Sequence, residues 1–418
     1  MLSYREQPIG DYKVKINRSK SKPVAGGVPS LPETDGGFIP VGSSKTSDLA
    51  YQRLAKHLDD LPGGFPATES GVEQRIVRRL FTPEEAELAV YLELIEEPPR
   101  VVAHRAGLPV EKTAEMLEEM ALKGLIVRLG KEGNYKYLAM QFIIGIWEFQ
   151  VDRLTPGLIK DFNEYAPYIT QDDWYKHPQL RTIPVEKNID LTRPVMGYET
   201  ASKIIKKQKK IVVAPCICRR EHRLIGEGCG KLEEACLLFG EFADYYEKNG
   251  IGREIDAEEA VALLEVGQEQ GLVCQPTNAK NPISMCLCCG CCCQVLKALK
   301  RHKVPSEGFA SPFFVKVDEG SCVGCKICVK RCPMDAVKVE EKMACIDKNR
   351  CIGCGVCVTT CPKDSISLER KSNTPSVPWS FKYGALLDLG KARGKISNMD
   401  VVKVAVKSKV DRLLAPDK

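Results

Sequence analysis

The period of the apolar positions changes several times along the chain, and each change marks an element. In LFTPEEAELAVYLELIEE apolar residues recur at helical spacing behind Thr82, Pro83 and Glu85, which read as an N-cap, an N1 proline and a capping-box partner. PPRVVAHRAGLPVEKTAEMLEEMALKGLI predicts two helices with a turn at Gly107, and LIVRLGKEGNYKYLAM predicts a two-stranded hairpin. FIIGIWEFQVDRLTPGLIKDFNEYAPY continues as a helix broken near Pro156, with Trp147 and Phe149 in the core. IVVAPCICRREH then opens on a short apolar run ending at Pro215, the mark of a buried strand. EEACLLFGEFADYYEKNG reads as a helix beginning near Cys236. DAEEAVALLEVGQEQG reads as another, with Asp256 as N-cap, Glu259 three residues on and Gly271 as the stop. LVCQPTN gives a further strand. QVLKALKRH predicts a helix starting near Cys291, with Cys288 and Cys289 in the loop before it, Gly290 supplying an unusual backbone angle, and Cys292 and Cys293 in its first turn.

Composition alters this picture through one residue type. Twenty cysteines would suit a disulfide scaffold in a short secreted chain, but MLSYREQPIGDYKVK has neither a signal-peptide apolar core nor a twin arginine. Reduced thiols in a cytoplasmic protein are expected. YLAMQFIIGIW falls short of the ~18 apolar residues of a spanning helix, so no transmembrane segment is expected. The net charge of +6 is small, yet both ends are basic, and they read either as solvated tails or as docking segments for an acidic partner or nucleic acid.

The strongest chemical signal is SCVGCKICVKRCP (321–333), repeated as RCIGCGVCVTTCP (350–362). Each copy is C-x2-C-x2-C-x3-C-P, and the pair resembles the bacterial two-cluster ferredoxins. Three thiolates two residues apart wrap one corner of a cubane, and the fourth points away to the other cluster. The resemblance implies two 4Fe-4S clusters, one on Cys322, Cys325, Cys328 and Cys361, the other on Cys351, Cys354, Cys357 and Cys332. Pro333 and Pro362 fix the loop exits, while Gly324 and Gly353 would let the backbone approach sulfide. Zinc would favour two separated C-x2-C pairs instead. Cys345, between the motifs, is expected on a buried strand.

Eleven cysteines remain between 216 and 293. Cys216 and Cys218 lie two apart and share a face of an extended segment, and Cys229 sits in the turn GEGCGK. In SMCLCCGCCC three C-x2-C registers overlap, so the six thiolates cannot all serve one cubane. The expected ligand set draws on Cys216 and Cys218 with Cys286, Cys288, Cys289 and Cys292. It would hold a third iron–sulfur cluster or zinc, a bare redox-active thiol patch being the remaining possibility. A helix N-terminus nearby would favour thiolates, and Lys206, Lys207, Lys209, Lys210, Arg219, Arg220, His222 and Arg223 would offset their charge or form a solvated face. The CCG at 288–290 resembles half of the cysteine-rich repeat of heterodisulfide reductase catalytic subunits, whose paired copies hold noncubane clusters. Only one copy exists here.

The front segment, about 72–147, resembles a MarR-like winged helix-turn-helix. Its recognition helix would carry Glu111, Glu115, Glu118 and Glu119 against Lys112 and Lys123, a poor match to phosphates, so nucleic acid is not an expected partner. A protein contact or a homodimer through this segment is expected instead. The fold class is therefore α+β multidomain. It comprises an extended basic arm (1–48), a winged-helix-like domain (49–150), a cysteine-rich α/β domain (151–310), a two-cluster ferredoxin domain (311–370) and a basic tail (371–418). As a whole the chain resembles ferredoxin-domain proteins with a CCGCC-type run found among anaerobic sulfate reducers and syntrophs. That resemblance implies an electron-transfer protein or oxidoreductase subunit serving redox partner proteins, and it names no substrate or catalytic residue. The alternative is a redox-sensing winged-helix regulator. No glycine-rich nucleotide loop is present.

Overall fold

In the computed structural model residues 45–169, 172–185, 199–373 and 376–416 are described, so most of the expected arm lies outside the described residues. Val41–Lys418 form one compact unit, and contacts run across the expected boundaries at 150, 310 and 370.

The front segment has the expected elements in the expected order. From Thr82 on these are the helices Pro83–Ala89, Pro99–Ala106 and Val110–Leu122 and a hairpin of β1 (Val127–Lys131) and β2 (Asn134–Leu138); two helices not specified from the sequence, Lys45–Asp60 and Val72–Leu80, precede them, the first starting within the expected arm. The Thr82 capping box is complete: the Glu85 N–H donates to Thr82 Oγ1 at 3.2 Å, and the Thr82 N–H to Glu85 Oε2 at 2.9 Å. Leu54, Ile76, Leu88, Leu92, Val102 and Leu117 pack the core between these helices. Trp147 stacks on Phe162 with centroids 3.5 Å apart, placing Trp147 in the core as expected.

The helix expected through FIIGIWEF breaks earlier than Pro156. Ile143 is extended and Ile144 is left-handed at φ 56°, so only Trp147–Phe149 form a helical turn there. The Gly145 N–H donates to the Glu148 carboxylate at 2.7 Å, and the Met140 side chain occupies the space a Gly145 Cβ would need. Pro156 instead starts the helix Pro156–Tyr165, behind a Thr155 cap.

The middle segment centres on a five-stranded sheet of β3 (Ile211–Pro215), β4 (Glu234–Phe239), β5 (Arg253–Ile255), β6 (Val273–Pro276) and β7 (Ser284–Cys288), in the order β5-β3-β4-β7-β6. Every pairing is antiparallel. The segment is thus α+β in character, not the α/β expected from alternating strands and helices, because alternation along the chain does not fix strand direction. Cys236 lies on strand β4, not at the start of a helix. The run EACLLF suits either element on its own, and pairing with β3 on one side and β7 on the other makes it a strand. The helix follows as Gly240–Lys248, and Ala257–Glu269 carries the expected Asp256 cap.

Behind the sheet in sequence, β8 (Phe313–Val317) pairs with β11 (Ile366–Arg370), and β9 (Val337–Glu340) with β10 (Met343–Ile346). Cys345 sits on β10, half-buried. The basic tail forms the helices Leu387–Ala392 and Asn398–Leu414, the second largely exposed, and ion pairs tie it to the front segment. Arg393 and Lys395 bind Asp59 at 2.6 Å each, and Arg105 joins Glu97 to Asp411 of the last helix. No helix among the described residues is long and apolar enough to cross a membrane.

Candidate metal centres

The eight ferredoxin-motif cysteines surround two cavities. Cys322, Cys325, Cys328 and Cys361 line one of about 350 Å³, and Cys332, Cys351, Cys354 and Cys357 line one of about 310 Å³. Each cavity takes three thiols from one motif and the fourth from the other. Backbone N–H groups address the sulfurs: Ala344 donates to Cys322 at 3.4 Å and Ala336 to Cys332 at 3.3 Å, an arrangement that favours thiolate or bound metal. Gly324 and Gly353 are left-handed at φ 64° and 63°, and a Cβ on either would run into the Lys342 or Phe313 carbonyl. What these glycines admit is neighbouring backbone, so the cage can close on itself.

The two cages differ in exposure. Cys351, Cys354 and Cys357 are buried, whereas Cys325 is exposed beside Val323 (56%) and Ile327 (41%). Burial pushes the Cys354 thiol well up, so only a bound cation would hold it ionised. The residues present fit a cubane in each cavity.

Ten of the remaining cysteines divide into two groups, and the run 286–293 feeds both; Cys274 on β6 and Cys345 on β10 belong to neither. The sulfurs of Cys229, Cys289, Cys291 and Cys292 lie within 4.8 Å of one another, a spacing one metal ion or the corner of a cluster can bridge. Arg219 is buried against this group, its Nη1 3.6 Å from Cys289 Sγ and its Nη2 donating to the Leu287 carbonyl at 2.8 Å. A hydrogen bond from Cys292 and the Arg219 charge hold the Cys289 thiol down to about 3, so it is a ready-made thiolate. The other group, Cys216, Cys218, Cys236, Cys286, Cys288 and Cys293, lines a cavity of about 860 Å³.

The expected single set is therefore split: Cys216, Cys218, Cys286 and Cys288 fall in the large cavity, Cys289 and Cys292 in the four-thiol group. Cys229 and Cys291 complete the latter, and Cys236 and Cys293 join the former. The glycines around Cys229 signal a turn that could present it. Cys236 was hidden by its reading as a helix residue. The helix expected from Cys291 starts at Gln294, leaving the whole cysteine run outside it. Gly290 has no left-handed φ; it is small because Pro333 packs on it. Of the basic residues expected around the first pair, Arg220 and Arg223 are engaged by Glu233, and Lys210 by Asp244 and Glu247. Arg219 is the one that touches a thiol.

Glu148 lines the large cavity too, and burial pushes its carboxyl up to about 8.

The inner ferredoxin cage abuts this region. Gly290, between Cys289 and Cys291, lies against Pro333, the residue after Cys332. The Val185 N–H donates to the Cys354 carbonyl at 3.1 Å while Ile183 pairs with Cys274 of β6, tying the sheet edge to the cage. Arg331 Nη2 donates to the Gln268 carbonyl at 2.7 Å, and Arg350 Nη2 to the Lys300 carbonyl at 3.2 Å.

No curated protein and no solved structure matches the chain. Residues 321–365 match the family model of the 4Fe-4S dicluster domain (Fer4_7), and this part of the chain is accordingly a ferredoxin-type dicluster domain.

Proposed function

We propose that the chain is an iron–sulfur electron-transfer protein, or the subunit of an oxidoreductase, in which the dicluster domain exchanges electrons with a metal–thiolate centre in the middle segment. The contact between Gly290 and Pro333 carries this reading, because it joins a loop of the inner cage to the cysteine run without an intervening layer of protein. The outer cage, on Cys322, Cys325, Cys328 and Cys361, faces solvent through apolar Val323 and Ile327, which suits docking of a redox partner protein. Electrons would pass from that surface through the cluster on Cys332, Cys351, Cys354 and Cys357 to the group of Cys229, Cys289, Cys291 and Cys292. When bound, the clusters supply one-electron carriers. The chain's own residues space them, exclude water from the inner cage and hold Arg219 against the Cys289 thiolate.

The winged-helix-like front serves this reading as a scaffold. Tyr245 of the middle segment donates to the Ala121 and Ile126 carbonyls, and Lys248 donates to the Gly130 carbonyl of β1, so the hairpin is engaged within the chain. The exposed face of Val110–Leu122 presents Glu111, Glu115 and Glu119, which favours a protein contact, a second copy included, over nucleic acid. Twenty free thiols suit a reducing cytoplasm and an anaerobic setting.

The test is stopped-flow oxidation of the anaerobically reconstituted, dithionite-reduced protein, followed by freeze-quench electron paramagnetic resonance. Expected is common oxidation kinetics of both dicluster signals and the middle centre in the intact chain. A middle centre that oxidises independently of the dicluster domain would overturn the reading.

A further inference from the structure

The cavity of about 860 Å³ gathers six thiols that the dicluster domain does not explain. Its six thiols come from three elements: Cys286 and Cys288 from β7, Cys236 from its partner position opposite Cys286 on β4, and Cys216, Cys218 and Cys293 from the chain leaving β3 and β7. The fold produces this grouping from the strand pleat. Cys286 and Cys288 share one face of β7, and the next residue, Cys289, turns to the four-thiol group instead. Adjacent Cys292 and Cys293 part in the same way.

The two ferredoxin cages give an internal scale. Four cysteines surround about 350 and 310 Å³ in those cages, against six surrounding about 860 Å³ here. Ligand number and room rise together. Among the described residues no lysine, arginine or histidine belongs to this lining, while Glu148 adds a carboxyl to the six thiols. Soft sulfur donors select iron–sulfur clusters, zinc or copper(I). A zinc ion closes on four ligands and would leave most of this space empty.

We propose that this cavity is a separate iron–sulfur site, built for a cluster that takes more protein thiolates and more room than a 4Fe-4S cubane. Cys216, Cys218, Cys236, Cys286, Cys288 and Cys293 are its ligands, and Glu148 is the one carboxyl in its wall. The site deepens the electron-transfer reading by giving the relay a terminus beyond the four-thiol group, but it rests on the cavity's own geometry.

The test is iron and acid-labile sulfide per chain, with Mössbauer spectra, on the full chain reconstituted anaerobically with ferrous iron and sulfide. C218S/C293S is compared with C229S/C291S. Expected is a block of about four or more irons with matching sulfide that is lost in C218S/C293S alone, both dicluster signals remaining. Iron-edge anomalous diffraction from the unmutated protein, showing several irons between β4, β7 and Glu148, supports the same conclusion where a variant folds poorly. Zinc or copper in this cavity, or no iron beyond the dicluster domain and the four-thiol group, overturns the proposal. Such a result leaves electron transfer to the four-thiol group standing, since oxidation kinetics test that separately.

Discussion

Gly290 and Pro333 are in direct contact: a Cβ on Gly290 would come 2.6 Å from the Pro333 carbonyl oxygen and 2.8 Å from its Cα. Both partners are backbone, so neither can rotate away. Gly290→Ala should push the cysteine run off the inner cage, destabilising the fold by about 1–3 kcal/mol through overpacking. Metal content should be retained while electron exchange between the dicluster domain and the middle centre slows. Freeze-quench spectra of the variant check this, and an unchanged exchange rate would remove the Gly290–Pro333 contact from the path.

Serine replacements in the two cages should differ in cost. Cys325 is exposed, so Cys325→Ser should remove the outer cluster with little effect on thermal stability. Cys354 is buried, and a serine hydroxyl in that wall without a partner should cost about 1–3 kcal/mol in addition to the cluster. Calorimetry alongside electron paramagnetic resonance separates the two. Partner-driven reduction of the middle centre should fail in both variants.

What could be read from the sequence follows from how local each signal is. The Thr82 and Asp256 caps, the Gly107 turn and the grouping of Cys361 with Cys322, Cys325 and Cys328 are written within motifs, and the structure places those residues accordingly. The identity of β4 is not local. EACLLF becomes a strand because β3 and β7 flank it, and Cys236 joins the large cavity only through that pairing. Nor could spacing divide Cys286–Cys293 between two groups, since the division depends on Cys229 arriving from another loop and on the pleat of β7. The partners of the tail are equally non-local: Asp59 and Glu93, which hold Arg393, Lys395 and Lys407, lie about 300 residues earlier in the chain.

Cys229 comes from a loop, whereas its three companions come from one short run. Cys229→Ser should therefore leave a three-thiol site and lose the metal of that group, with iron in the dicluster domain unchanged. Metal analysis reads the result. The Cys289 thiolate, stabilised by Cys292 and Arg219 rather than by Cys229, should remain, visible in the metal-free protein as thiolate ultraviolet absorbance at neutral pH that a further Cys289→Ser replacement diminishes.

The fold-back of the tail should depend on pH in a defined direction. Burial alone would raise the Asp59 carboxyl, but the Lys395 ammonium, the Phe65 N–H and the Arg393 guanidinium outweigh it and hold the group below its usual 3.8. A carboxyl lowered on folding contributes stability that is fully present above its unfolded value and is lost as pH falls through the lower folded value. Asp60, lowered by Lys56 and Lys395 against its own burial, acts in the same sense. The clasp should therefore be constant from neutral pH down to the carboxylate range and open only in stronger acid. Asp59→Asn weakens it at every pH at which Asp59 is ionised, costing about 1–2 kcal/mol for charged hydrogen bonds that are partly screened by solvent, and leaves Lys395 on Asp60 and Arg393 on the Asp59 and Leu61 carbonyls. Hydrogen exchange across Leu387–Ala392 measures the opening. The variant should exchange faster than the natural chain at pH 7, and the two should converge in acid; a difference that persists there would mean that Asp59 is not the group that titrates.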